Sequence, residues 1–417
     1  MINKDTVSQN RKEAMETRNL AVGYGQRVVV NSIDEKILQG QLVSLLGPNG
    51  SGKTTILRTI AGLVAPVKGT VFINGRDLHR LDQNKLARFM AVVLTGHLAP
   101  GLLTAFEFVA LGRYPYTGIL GRLSHKDIKK TEECLHLVHA EKIAHRYFEE
   151  LSDGERQKLV IARALAQEPQ VIILDEPTSY LDLKHKIGVM TILRDLCRKR
   201  GITVVVSLHD VDLALKISDM VILIKDGKIM GCGSPDTILN SNTVKDLYDL
   251  DNAKFNSLLG TIDFIGNNNG KKVFVTAGGG TGVHLYRILS KKGMSVFTGV
   301  IHENDIDFHI ARSTGAETVS EKPFEKIKKE RLNRSFTLIE EADYIIDAGF
   351  PVGHSNRENL KLPLVAIKQG KDVYAIRKRQ EAFELYGKSA KKLTLCHNTE
   401  TLISKICKPD RHHKIHG

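Results

Sequence analysis

Tryptophan is missing from the 417 residues, and cysteine occurs five times, at Cys134, Cys197, Cys232, Cys396 and Cys407. These cysteines are scattered, with no CxxC pair and no metal-ligand spacing. Neither a disulfide framework nor a zinc site is expected, and free thiols in a reducing cytosol are the plain reading. Long apolar runs are also missing: stretches such as 171–174 and 202–206 fall far short of the roughly 20 residues that cross a bilayer. The start, MINKDTVSQNRKEAME, has no apolar centre and no small-residue cleavage site, so it does not read as a secretory signal and export is not expected.

What is present is the mix of an ordinary globular protein, 42% hydrophobic and 26% charged, which argues against disorder or a fibrous fold. The length exceeds what one core usually supports, so two domains are expected. A net charge of +13 favours polyanionic neighbours, whether nucleotides, nucleic acid or the anionic inner face of a membrane.

Short β-rich apolar runs alternate with longer amphipathic stretches, the pattern of parallel strands joined by helices, so the chain reads as α/β throughout. Gly266-Asn-Asn-Asn-Gly270 breaks this pattern and places a domain boundary between about 255 and 270. The histidine-rich end, 411–416, reads as a solvated tail rather than a metal site, because it has no scaffold to fix a geometry.

The segment Gly47-Pro-Asn49-Gly50-Ser51-Gly52-Lys53-Thr54 fits the phosphate-loop pattern GxxxxGK[ST] at every fixed position. It lies between an apolar strand at 41–46 and a helix that begins with Thr55, so backbone N–H groups and a helix N-terminus can face phosphates. Lys53 then reaches the β- and γ-phosphates of ATP, and Thr54 ligates Mg²⁺. Downstream, the strand 171–174 runs into Asp175 and Glu176. Asp175 suits the metal through water, and Glu176 suits polarising the attacking water. A further strand, 203–207, precedes His209, which is placed to contact the γ-phosphate or to hold Glu176 and the water in line.

Beside these motifs stand Leu151-Ser152-Asp153-Gly154-Glu155-Arg156-Gln157 and Ser179-Tyr-Leu-Asp182. With them the chain, from about Leu20 to Leu250, resembles the ATP-binding subunits of ABC transporters: the first segment looks like the LSGGQ signature and the second like the D-loop. The resemblance implies a homodimer in which Ser152 and Gly154 of one subunit close over ATP held by the other's phosphate loop, with Glu155 in the same segment. It also implies that Tyr24 stacks on adenine. Two positions depart from the family. Asp153 and Glu155 replace glycine and glutamine in the signature, a change expected to be tolerated. Thr95 stands where the family has the glutamine that senses Mg²⁺ and transmits closure to the permease. It is too short for that contact, and His97 is the nearby candidate to substitute.

The stretch 95–151 corresponds to the family's helical subdomain, which touches the permease. Within it Leu111-Gly112-Arg113-Tyr114-Pro115 is similar to the LGRxP stretch of importers for iron-siderophores, haem and cobalamin, although Val109, Leu111 and Tyr114 also suit packing at a helix end.

From 271 onward a smaller Rossmann-like α/β domain is expected, with strands near 272–276, 295–301, 343–348, 364–367 and 372–376. Gly278, Gly280 and Gly282 follow its first strand, where they either cradle a phosphate or simply permit a tight turn. Glu303 follows the second strand at the offset of a ribose-binding acid.

The sequence thus predicts a P-loop ABC ATPase domain with helical subdomain at 17–255 and a Rossmann-like domain at 271–410. The expected function is the energy-coupling subunit of an importer for a metal chelate, using ATP and Mg²⁺. The expected setting is the cytoplasmic face of the cell membrane, beside separate permease and substrate-binding chains and without nucleic acid. A soluble ABC ATPase acting on nucleic acid or cofactor assembly is the rival, supported by the basic charge alone. A phosphate-loop kinase leaves the signature unexplained.

Overall fold

Aliphatic runs bounded by turns become strands, and those buried on both faces carry the least polarity. The computed structural model describes residues 12–96, 100–118, 121–266 and 269–407. Its contacts separate two compact units, Met1–Leu239 and Asn240–Gly417.

The strands of the first unit are β1 (Glu13–Tyr24), β2 (Arg27–Ile33), β3 (Lys36–Leu38), β4 (Leu42–Leu46), β5 (Lys68–Ile73), β6 (Arg76–Asp77), β7 (Met90–Val93), β8 (Val171–Leu174), β9 (Thr203–Ser207), β10 (Met220–Lys225) and β11 (Lys228–Gly233). An antiparallel sheet runs β2-β1-β5-β6, with β3 also on β1. The larger sheet runs β11-β10-β4-β9-β8-β7, parallel except for β11. Every residue of β4, β8 and β9 is buried. The helix Lys53–Ile60 sits between the sheets: Ile56, Leu57 and Ile60 join Leu20, Val22 and Val30 on one side and Val43, Leu45 and Val205 on the other. Burying such a side chain contributes roughly 1.5–3 kcal/mol, so the phosphate loop is anchored by its own helix.

Helices Ala105–Ala110, His125–Leu137 and Asp153–Ala166 form a helical segment beside the parallel sheet. Each opens with a capping box, Thr104 with Glu107, Ser124 with Asp127 and Ser152 with Glu155. The buried Arg113 guanidinium ties them together: Nε lies 2.9 Å from Asp127 Oδ1, and Nη1 donates to Ala166 O (2.6 Å) and Glu168 Oε1 (2.7 Å). The LGRxP-like stretch therefore owes its arginine to architecture. Val109 is buried as a packing residue, whereas Leu111 and Tyr114 face solvent, Tyr114 at 78% exposure.

The second unit begins with the helix Ser241–Tyr248, followed by a hairpin, β12 (Ala253–Asn256) and β13 (Thr261–Phe264). It continues with β14 (Lys272–Thr276), β15 (Ser295–His302), β16 (Glu317–Glu321), β17 (Tyr344–Asp347), β18 (Val373–Ala375) and β19 (Thr394–Leu395). The division falls earlier than the 255–270 stretch suggested by the asparagine-rich loop, because the hairpin is stitched to the helices that succeed β14 and β15. Asp263 accepts from Arg287 Nε (2.8 Å) and Ser313 Oγ (2.7 Å), and Phe264 O accepts from Ser290 Oγ (3.1 Å). The sheet is wholly parallel in the order β16-β15-β14-β17-β18-β19, the doubly wound arrangement of dinucleotide-binding folds. Alternation along β14 feeds two cores, with Val273 and Val275 packing beside Leu285 and Leu289, and Phe274 beside Leu338 and Leu362.

The apolar run at 364–367, expected as a strand, lies instead in the helix Lys361–Lys368. Its buried residues Leu362, Pro363, Ala366 and Ile367 recur at helical spacing, and Pro363 is tolerated in the first turn. The expected strands also omit β16, whose Glu-Thr-Val-Ser-Glu sequence is that of a polar edge. At the end of β17, Asp347 is fully buried against Arg377, which donates from Nε and Nη2 to its two oxygens and from Nη2 to Phe350 O.

Candidate active site

The turn after β4 uses backbone that side chains cannot follow. Gly52 sits at φ +105°, and a Cβ there would lie 2.3 Å from Val30 Cγ2; a Cβ on Gly47 would lie 2.1 Å from Ile224 O. Asn49 and Gly50 are exposed, while Ser51 and Thr55 are buried. Lys53 Nζ donates to Gly47 O (2.8 Å) and Pro48 O (3.0 Å), inside its own loop. Burial pulls its pKa below the ordinary lysine value, against the opposing pull of the Glu176 and Asp175 charges. The Ser51 hydroxyl is buried without a hydrogen-bond partner among the described residues, a group that a phosphate oxygen would satisfy.

Parallel pairing brings the other groups to the same sheet edge. Val93 pairs with Leu174 and Leu174 with Val206, while Leu45 pairs with Ser207. The residues just beyond these rows therefore converge. Asp175 accepts from Thr54 Oγ1 (2.9 Å) and Thr95 Oγ1 (3.3 Å) at Oδ2 and from Ser207 Oγ (2.7 Å) at Oδ1. The same Ser207 oxygen accepts from the backbone N–H of Glu176 at 2.8 Å. Glu176 adopts φ +48°, a left-handed turn uncommon outside glycine, which swings its carboxylate off the strand axis. There Oε1 lies 2.6 Å from His209 Nε2, and Oε2 accepts from Ser179 Oγ at 3.0 Å.

Lys53, Thr54, Asp175, Glu176 and His209 are thus gathered at one place. Tyr24 stands half-exposed at the tip of β1, and Ser152 caps the helix Asp153–Ala166. The Ser152 hydroxyl donates to Glu155 Oε2 (2.8 Å), and Glu155 Oε1 lies 3.5 Å from Arg146. Among the described residues no hydrogen bond joins Ser152 or Gly154 to the phosphate loop of the same chain. Asp182 caps the helix Leu183–Arg200, accepting from His185 N and lying 2.8 Å from His185 Nδ1. His97 lies outside the described residues.

Ser207 and His185 lie outside the sequence motifs, and Ser179 is marked only as the start of the D-loop-like segment; Ser207 carries a signal as a polar residue closing an apolar strand. Thr95, too short to reach the metal as the family's glutamine does, nevertheless places its hydroxyl on Asp175.

In the second unit the backbone donors of the glycine turn are already used. Gly279 N donates to Asp305 Oδ2 (2.7 Å), and Gly280 N and Gly282 N donate to the two oxygens of Asp307 (3.0 Å each). Gly278 N faces the Thr281 hydroxyl. A phosphate at Gly278, Gly280 and Gly282 would have to displace two carboxylates, so the turn reading of these glycines is the one the structure favours. Glu303 accepts from Ser320 Oγ at 3.1 Å.

The ABC transporter family profile matches residues 30–179, and that of the MJ0874 family matches residues 296–405. An uncharacterised ABC transporter ATP-binding protein of Methanocaldococcus jannaschii is 47% identical over 286 residues, 68% of this chain and 99% of the relative. The chain belongs to the ABC transporter ATP-binding family. It is accordingly an ATPase whose hydrolysis is coupled to transport. A cobalamin import ATP-binding protein of Halobacterium salinarum is 32% identical over 307 residues, 72% of this chain and 77% of that protein. A solved inward-facing structure described as a metal-chelate type ABC transporter aligns with a TM-score of 0.51 at 26% identity, covering 57% of this chain and 90% of that one. Among the described residues of this ABC protein no helix is long and apolar enough to cross a membrane.

Proposed function

We propose that this ABC protein is the energy-coupling subunit of a metal-chelate importer. It works as a homodimer on the cytoplasmic face of the membrane, with separate permease subunits and, through them, an extracytoplasmic binding protein. The observation that carries the mechanism is the hydrogen-bonded series Thr54–Asp175–Ser207–Glu176–His209 beside the phosphate loop. Thr54 and Asp175 offer the hard oxygen donors that Mg²⁺ prefers, and they would hold it; the ion would neutralise charge on the β- and γ-phosphates. Lys53 holds those phosphates, and Tyr24 stacks on adenine. Glu176 takes a proton from the water whose oxygen attacks the γ-phosphorus, while the bond to ADP breaks. His209 keeps that carboxylate in place. Ser152, Gly154 and Glu155 complete the site from the second subunit, with Asp182 shaping the D-loop between them.

Cargo is supported by the cobalamin-import name of one relative and the metal-chelate type of the aligned transporter. Leu102, just before the helical segment, and Leu111 and Tyr114 within it are exposed apolar side chains of the kind a permease contact would cover. The test is uptake at low concentration by a strain lacking this gene and any paralogue. Loss of uptake of an iron-siderophore, haem or cobalamin is expected, and unchanged uptake of all three would overturn the cargo.

A further inference from the structure

We infer that Thr95 is a positioning residue for the metal of ATP hydrolysis, acting through Asp175 rather than on the ion itself. The inference rests on the reading that Asp175 and Thr54 hold Mg²⁺.

Thr95 lies two residues beyond β7, the edge strand paired in parallel with β8. Asp175 N donates to Val93 O at 2.8 Å, which locks the two strand ends in register and sets the Thr95 hydroxyl 3.3 Å from Asp175 Oδ2. That oxygen is shared with Thr54 Oγ1, and the other is held by Ser207. Three hydroxyls, one from the phosphate-loop helix and two from strand ends, thus fix the rotation of one buried carboxylate. Groups that orient a metal-binding side chain tune affinity without touching the ion.

Thr95 is also the member of this set that belongs to the chain leading into the helical segment 105–166. Binding the metal favours the conformation in which the Thr95–Asp175 bond is made, and making that bond favours the metal. A short hydroxyl on the aspartate thereby takes the place of a long side chain on the ion.

The test uses the full chain carrying Glu176→Gln, so that nucleotide binding is read without turnover. Manganese is titrated by electron paramagnetic resonance in the presence of ATP, and ATP affinity is measured separately in a chelator. Thr95→Val should raise the half-saturating Mn²⁺ concentration about tenfold while leaving metal-free ATP affinity unchanged, which also certifies the fold. Thr95→Ser should restore the parental titration. In the hydrolysing chain, Thr95→Val should shift the Mg²⁺ requirement more than kcat at saturating metal. A Thr95→Val titration that overlays the parent, beside an Asp175→Asn variant that has lost the metal, overturns the inference. If Asp175→Asn also overlays the parent, the underlying metal placement is what fails.

Discussion

Gly154 and His185 meet with no room for a side chain: a methyl group on Gly154 would lie 2.1 Å from Cδ2 of the imidazole. The contact joins the start of the signature helix to the helix after the D-loop, whose cap Asp182 also holds that imidazole. Gly154→Ala should push the ring away at an overpacking cost of about 1–3 kcal/mol and lower ATPase activity roughly tenfold. Adding His185→Ala makes room again and should recover part of the rate. A Gly154→Ala chain as active as the parent would show that the contact is dispensable.

Glu176→Gln keeps the shape of the side chain and removes its basicity. Turnover should fall by about 10² to 10⁴, with ATP binding retained and a dimer trapped by nucleotide in gel filtration. Lys53→Ala should instead weaken binding itself. Parental hydrolysis by Glu176→Gln would remove it from the mechanism.

Because Ser152 makes no bond to the phosphate loop of its own chain, Ser152→Arg should cripple hydrolysis through the neighbouring subunit. Mixing Ser152→Arg chains with Lys53→Ala chains leaves one site built of two intact halves, and activity should return in the mixture. Two inactive variants that stay inactive after demonstrated subunit exchange would contradict action in trans.

Arg377→Ala would remove the cation from the fully buried Asp347 carboxylate and leave it only the Tyr386 hydroxyl and the Gly349 N–H as donors. Breaking a buried pair in this way typically costs 3–5 kcal/mol, about the margin of a small domain. Hydrogen exchange of β14 and β17 should show an opening free energy lowered by about that amount, with the strands around Lys53 unaffected. Equal protection in variant and parent would refute it.

Burial pushes the Asp307 carboxyl up to about 6 from 3.8, helped by Asp305 and opposed by the N–H donors of Gly282 and Gly280. The folded form then holds a proton that the unfolded chain releases near pH 4. The stabilising contribution is present below that pH and is lost as pH rises through about 6. Its size is at most roughly 3 kcal/mol, from two pKa units. The stability difference between the parent and Asp307→Asn, followed by hydrogen exchange of β15 from pH 4 to 8, should change across that window. A difference independent of pH would disprove the assignment.

Motifs whose geometry is local are legible in the sequence. GxxxxGKT fixes a turn within eight neighbouring positions, and an apolar strand running into Asp175 and Glu176 announces its own end. Bonds that depend on strand register are not legible. Thr95 meets Asp175, and Ser207 meets both Asp175 and Glu176, only because β7, β8 and β9 align in parallel across long separations. The helix at 361–368 reads as a strand in sequence because a short apolar run has no period of its own until its neighbours decide which residues are buried. The glycine turn at 278–282 admits two readings in sequence because the acids that fill it come from the next β–α unit.

That turn carries its occupant within the fold. Asp305 and Asp307 supply the carboxyl oxygens that accept from the N–H groups of Gly279, Gly280 and Gly282, so the domain is stapled at the turn that other doubly wound folds reserve for a coenzyme. Trimming both acids to alanine would leave a ready-made receptor for small anions, and added formate or phosphate should then act as a removable fastener for the first β–α unit of the domain.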